Sequence, residues 1–212
     1  MKIDLLNVSK KFKNITILSD VNMKLNKGKI YGFAGRNGTG KSVLLKLICG
    51  FYLPSSGSIL FDGVNYNEKN EFPPNLRALI EKPNFFPDLT GFENLKLLAQ
   101  IQNKISDDEI FNALEIVNLL EEKDKKYNKY SLGMKQKLGI AQVIMEHPDI
   151  LILDEPFNGI EQSTVEKLID YLNEIKKSKI IIVSTHIRDD LDKMADVVFK
   201  FDGGHVVEEK ND

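Results

Sequence analysis

Gly35-Arg36-Asn37-Gly38-Thr39-Gly40-Lys41-Ser42 has the spacing G-x-x-x-x-G-K-[ST]. Its glycines let the backbone fold tightly enough for successive N–H groups to point at one anion. An apolar run, Lys29 to Ala34, precedes the loop and reads as a buried strand. Lys41 to Cys49 follows as an amphipathic helix with Gly50 as its C-cap. The N-terminus of that helix adds a dipole that favours negative charge. In such a loop Gly35, Arg36, Asn37, Gly38, Thr39 and Gly40 cradle a phosphate chain. Lys41 reaches the β and γ phosphates, and Ser42 ligates Mg²⁺.

A second apolar run ends in two acids: Ile150-Leu151-Ile152-Leu153-Asp154-Glu155-Pro156. In α/β sheets ligands bind beyond the carboxyl ends of the strands. Asp154 is therefore expected to hold Mg²⁺ through water, and Glu155 to polarise an attacking water. Phosphoryl transfer asks mainly for positioning and charge neutralisation, which this set supplies.

The flanks fit an α/β chain. Ile150 to Leu153 and Ile180 to Ser184 read as strands separated by a helix from about Gln162 to Lys176, which implies parallel pairing with helices on both faces. Met1 to Val8 and Val21 to Leu25 alternate as half-exposed strands of an antiparallel sheet, with Ser58 to Phe61 as a further short strand. From Phe92 the apolar period becomes helical. Ser106-Asp107-Asp108-Glu109 reads as a capping box, and another helix runs from Leu132 to Met145. Glu121 to Lys126 reads as a solvated linker. Val197 to Phe201 and His205 to Glu208 read as a closing hairpin. The expected architecture is one domain over residues 1–212: a parallel α/β core, an antiparallel β flank and a helical insertion over about 83–147.

Composition narrows the function classes. Of 212 residues, 42% are hydrophobic and 28% charged, and the formal net charge is −2. That balance suits a globular chain and offers no excess positive charge to nucleic acid. Arginines stand only at Arg36, Arg77 and Arg188. The single cysteine, Cys49, cannot form an intramolecular disulfide, in keeping with a reducing compartment. The apolar runs fall far short of the roughly 20 residues that span a bilayer, and the N-terminus lacks a signal-peptide core. Any membrane role is expected to come through a partner.

Guanine-reading proteins with this loop carry N-K-x-D. Here Asn128-Lys129-Tyr130-Ser131 lacks the aspartate, and Asp88-Leu89-Thr90-Gly91 follows no clear strand. Tyr130-Ser131-Leu132-Gly133-Met134-Lys135-Gln136-Lys137 resembles instead the L-S-G-G-Q signature of ATP-binding cassette (ABC) proteins. The resemblance spans the chain in the family's order. Gly35 to Ser42 matches Walker A of the P-loop NTPase (RecA-like) fold, and Ile150 to Glu155 matches Walker B with Glu155 at the catalytic carboxylate. His186, in Ser184-Thr185-His186, matches the switch histidine. Phe12 fits the aromatic that stacks on adenine.

This sequence departs from the pattern at several points. Leu132 replaces the first signature glycine and Met134 the glutamine, while Ser131 and Gly133 survive. Asn158-Gly159-Ile160-Glu161 carries glutamate where an aspartate is usual. Glu81 stands where most relatives place a glutamine that touches Mg²⁺ and signals to the membrane partner. Ala78 to Pro87, followed by Leu89 to Leu95, is similar to the variant in transporters of bacitracin and lantibiotic self-protection.

The resemblance implies an ATP-hydrolysing subunit that exports a peptide antibiotic or similar amphipathic compound, with ATP and Mg²⁺ as cofactors. Two copies, or this chain and a second ATPase, are expected to pair head to tail, each signature contacting ATP on the opposite loop. The pair is expected at the inner face of the cell membrane, on the cytoplasmic side, bound to a membrane-spanning subunit through a groove near Glu81. Phe85, Phe86 and Phe92 are candidate groove residues. Other readings are a soluble ABC-type ATPase acting on a macromolecule and a non-hydrolysing regulator. The first usually needs tandem cassettes or a long insertion; Glu155 and His186 argue against the second.

Overall fold

In a computed structural model, which describes residues 1–209, the chain forms two sheets and six α-helices. Strands β1 (Lys2–Phe12), β2 (Ile15–Asn26) and β4 (Ser56–Phe61) make an antiparallel sheet in the order β2-β1-β4. Strands β3 (Lys29–Ala34), β5 (Leu76–Leu79), β6 (Ile150–Asp154), β7 (Ile180–Thr185), β8 (Val197–Asp202) and β9 (His205–Glu209) make a second sheet in the order β5-β6-β7-β3-β8-β9. Its first five members are parallel, and β9 returns antiparallel on β8. The expected α/β architecture is therefore present.

Burial explains the layering. Every residue of β6 and β7 is buried, and successive side chains face opposite ways. Ile150, Ile152, Ile180 and Ile182 join α1 (Lys41–Ile48) and the inner face of the antiparallel sheet in one core. Leu151, Leu153, Ile181 and Val183 face a second core. That core is built with α4 (Leu132–Ile144) and α5 (Gln162–Ile175). Helices α2 (Gly91–Gln102), α3 (Asp107–Ile116) and α4 lie between β5 and β6, and α6 (Arg188–Asp192) follows β7.

Some elements differ from expectation. The first two strands are longer than their clean alternation, because bulges interrupt the β1–β2 pairing after Leu5 and Val8, and Asn7 and Asp20 take positive φ there. β5 was not anticipated: it is four residues long with a charge in the middle. Arg77 is accommodated by a half-buried ion pair with Glu146, just past α4. The Ser106 box forms as expected, with Glu109 accepting from the Ser106 N–H at 2.7 Å.

The sheet order aligns the site. β6, β7 and β3 are neighbours, with Asp154 beside Ser184 and Ala34 beside Thr185 in register. The glycine loop after β3, the acids ending β6 and the histidine after β7 thus leave the sheet at the same edge.

Candidate functional site

The loop from Gly35 to Gly40 closes on itself before α1 begins. Thr39 Oγ1 donates to the Arg36 carbonyl at 2.8 Å. Gly40 is the N-cap of α1 with φ 103°, and a Cβ there would lie 2.9 Å from Leu18 Cδ2. Both facts demand glycine. α1 carries no acid in its first turn, so its N-terminal dipole is left for an external anion.

Lys41 is buried and donates Nζ to the carbonyls of Gly35 at 2.6 Å and Arg36 at 3.3 Å. The same Nζ lies 3.6 Å from Glu155 Oε1. The other oxygen, Oε2, is 2.8 Å from His186 Nδ1. Glu155 has φ 48°, the left-handed region, and its N–H donates to the Ser184 carbonyl at 3.0 Å. The Ser184 hydroxyl donates to Asp154 Oδ1. Lys41, the adjacent pair Asp154 and Glu155, and His186, three places far apart in sequence, are thus brought together.

A cleft of about 210 Å³ opens here, lined among others by Ile17, Gly38, Lys41, Ser42 and Glu155. Glu155 Oε1 is buried in it and makes no hydrogen bond to the described residues. The Lys41 ammonium faces this oxygen at 3.6 Å, beyond hydrogen-bond reach, so its lone pairs are left for another donor. The cleft therefore fits a polar ligand with a water beside Glu155. Among the described residues no group of three or more Asp, Glu, His or Cys gathers to cage a metal. A serine hydroxyl and one carboxylate beside a phosphate cradle suit Mg²⁺, which keeps several waters. A second opening of about 410 Å³ flanks the loop at Arg36, His186, Arg188 and Lys200. Its Arg188 is committed to Asp192 and Glu209.

Phe12 ends β1 opposite Ile15 and is 39% exposed. Its ring meets Tyr52 edge-on at 5.4 Å, with Lys10 Nζ 4.8 Å from its centroid. It belongs to the same hairpin as Ile17, which lines the cleft.

Ser131 is the N-cap of α4, its Oγ accepting from Met134 N–H at 3.2 Å, and Leu132 beside it is 65% exposed. Gly133 is required by close approach: a Cβ there would lie 2.4 Å from the Gly159 carbonyl oxygen. Among the described residues neither Ser131 nor Gly133 hydrogen-bonds to the chain's own glycine loop.

Glu81 takes φ 69° and pairs with Lys46. Lys46 lies one turn beyond Ser42 on α1. That hydrogen bond holds the Lys46 ammonium above its usual pKa. The Glu81 carboxylate thus rests on a lysine near the proposed metal site, rather than on Ser42 or Asp154.

Past Glu81 a cleft of about 400 Å³ is lined by Phe85, Phe86, Asn94, Leu98 and Gln142, among others. Phe85 is buried on Tyr127, with ring centroids 5.3 Å apart, and Phe86 is 59% exposed. Phe92 does not line it: its ring stacks on Phe111 at 5.0 Å, within the helical core. Helical periodicity alone did not separate these cases.

Asn94 was not anticipated, although an Asn beside Leu95 on a buried helix face is the signal. It accepts from Phe86 N–H at 2.9 Å and donates to the carbonyls of Phe86, Leu89 and Thr90. Asn94→Ala is expected to cost about 1–3 kcal/mol of stability, because the buried amide is lost and the half-buried backbone groups of residues 86–90 lose their partner. Denaturant unfolding measures it; an unchanged midpoint would mean that other contacts hold the 86–90 loop.

Residues 18–158 match the model of the ABC transporter family. The chain is 38% identical over 208 residues to the bacitracin transport ATP-binding protein BcrA of Enterococcus faecalis, covering 97% of this chain and 68% of that protein. It is 33% identical over 208 residues to the lantibiotic transport ATP-binding protein SrtF of Streptococcus pyogenes, covering 97% and 90%. A solved structure described as the ATP-binding subunit of an ABC transporter superposes with a TM-score of 0.88 at 27% identity, over 99% of this chain and 90% of that one.

Proposed function

We propose that this chain, which belongs to the ABC transporter family as an ATP-binding and hydrolysing subunit, powers the export of a peptide antibiotic or a similar amphipathic compound. The observation that carries the hydrolytic part is the suspension of Glu155 between Lys41 and His186 at the mouth of the glycine loop. The cargo class rests on similarity to bacitracin and lantibiotic transport proteins.

The chain's own groups supply the chemistry. Lys41 exchanges the carbonyls of Gly35 and Arg36 for the β and γ phosphates, and the loop N–H groups at the start of α1 take the remaining oxygens. Phe12 offers its ring to the adenine. Glu155 orients a water and accepts its proton as the water oxygen attacks the γ phosphorus, and ADP leaves. His186 holds the Glu155 carboxylate in place. Ser42 and Asp154, with Glu81, would hold Mg²⁺, which neutralises charge on the transferring phosphoryl group when bound. Ser131 and Gly133 meet ATP on the loop of a second cassette, either another copy or a related ATPase, since they do not reach their own. The cleft at Phe85 and Phe86 takes a membrane-spanning subunit, which keeps the cassette at the cytoplasmic face of the membrane. Nucleic acid has no part in this reading.

Glu81 joins the two sites. A carboxylate is a better hard-cation ligand than an amide, so metal attraction should draw it from Lys46. Glu81→Ala is expected to cut transport strongly, and Glu81→Gln to keep part of it. Nucleotide binding should fall less than with Lys41→Ala. The experiment pairs the ATPase rate of the assembled transporter with survival of cells challenged by bacitracin or a lantibiotic. Parental values in both for Glu81→Ala would remove the coupling role; survival no better than in cells lacking the chain would remove the cargo assignment.

A further inference from the structure

We propose that Gln136, on the helix that carries Ser131 and Gly133, is a positioning residue for Glu155, tying the signature helix to the backbone of the proton acceptor. The inference deepens the hydrolytic reading above and rests on it.

Glu155 sits in an unfavourable backbone state. Its φ of 48° is rare for a residue with a side chain, and the proline that follows disfavours helical geometry at the preceding position as well. Such a conformation persists only where surrounding groups over-determine it. On the amino side, the Ser184 carbonyl takes the Glu155 N–H at 3.0 Å. On the carboxyl side, Gln136 Nε2 donates to the carbonyls of both Glu155 and Pro156, each at 3.3 Å. The peptide units on both sides of the Glu155 Cα are thereby pinned. They set the direction in which the carboxylate leaves the backbone, towards Lys41 and His186.

The rest of α4 makes this contact more than a chance hydrogen bond. Gly133, Gln136 and Lys137 share one helix face at i, i+3 and i+4. Gly133 packs on the Gly159 carbonyl, and Lys137 Nζ bonds Glu161 Oε2 at 2.6 Å. The face is thus seated along the whole turn from Glu155 to Glu161. On another side of α4, Gly139 abuts Pro83, two residues past Glu81, where a Cβ would lie 2.8 Å from the proline ring. One rigid helix therefore touches the segment that carries Glu81 and the backbone of the proton acceptor. Its only side-chain hydrogen bonds to that backbone, among the described residues, come from Gln136.

The test uses the full chain and phosphate release at saturating Mg²⁺ and ATP. Gln136→Met keeps length and removes the donor. It should lower kcat about tenfold and leave KM for ATP within about twofold, because the ATP-binding groups are untouched and only alignment is lost. Gln136→Lys restores a donor of sufficient reach and should recover kcat to within about threefold of the parent. Gln136→Glu turns an acceptor-only carboxylate on two carbonyl oxygens and should fall below Met. The order Lys, Met, Glu runs from a donor through a neutral non-donor to an acceptor that repels the carbonyls, which a packing role would not produce. Thermal unfolding of each variant screens for misfolding, and if Met fails to fold, Lys against Glu still decides. Parental kcat in Gln136→Met, with Glu155→Gln inactive, overturns the tether alone, as does equal impairment of Lys and Glu. Parental turnover in Glu155→Gln removes the proton acceptor and the proposal with it.

Discussion

Glu155→Gln is expected to bind ATP like the parent and to lose turnover by about 10² to 10⁴-fold, the contribution of a positioned general base. The amide keeps the shape of the carboxylate, so contact with His186 Nδ1, now 2.8 Å from Oε2, can persist. Basicity is lost, and with it the only acidic side chain, among the described residues, that lines the cleft facing Lys41. Removing the negative charge also relieves repulsion of the triphosphate, so binding should not weaken. ATP should then hold two chains together, since the step that opens the pair is blocked; size-exclusion chromatography with ATP reads this directly. Turnover within twofold of the parent would take Glu155 out of the proton-transfer role.

Lys41→Ala should act one step earlier, on binding. Nζ is held at the base of the loop by two carbonyls and, among the described residues, is the one buried cation lining the cleft. Hydrogen bonds to charged groups contribute about 1.5–3 kcal/mol each, so losing one weakens ATP binding roughly 10- to 100-fold. The folded state should tolerate the change, because the freed Gly35 and Arg36 carbonyls lie in a loop that water can reach. Calorimetric titration with ATP measures the loss; unchanged affinity would mean that the loop does not hold the phosphates. The two variants separate cleanly: one binds without turning over, the other fails to bind.

The parts of the site that could be read from sequence are those whose geometry is local. Gly35 to Ser42 carries its shape in its own backbone, and the acids after Ile150–Leu153 must emerge at the strand's carboxyl end. His186 and Phe12 were legible only through the family pattern, since an isolated His or Phe has no local signature. What could not be read depends on contacts distant in sequence. Gln136 meets Glu155 across 19 residues, and Lys46 meets Glu81 across 35. β5 is unremarkable as a string, and becomes a strand because β6 offers an edge and Glu146 neutralises Arg77. Phe85, Phe86 and Phe92 are the same residue type within eight positions, and their identity does not say which is covered. Their fates differ because Tyr127 covers the first and Phe111 the third.

The most direct test of the account is phosphate release from Mg²⁺ and ATP, followed as chain concentration is raised. A site completed by the signature of a second chain predicts a rate that climbs with the square of concentration until pairs saturate, and that vanishes in Glu155→Gln. A rate that is first order in chain, or one no higher than that of Glu155→Gln, would contradict it.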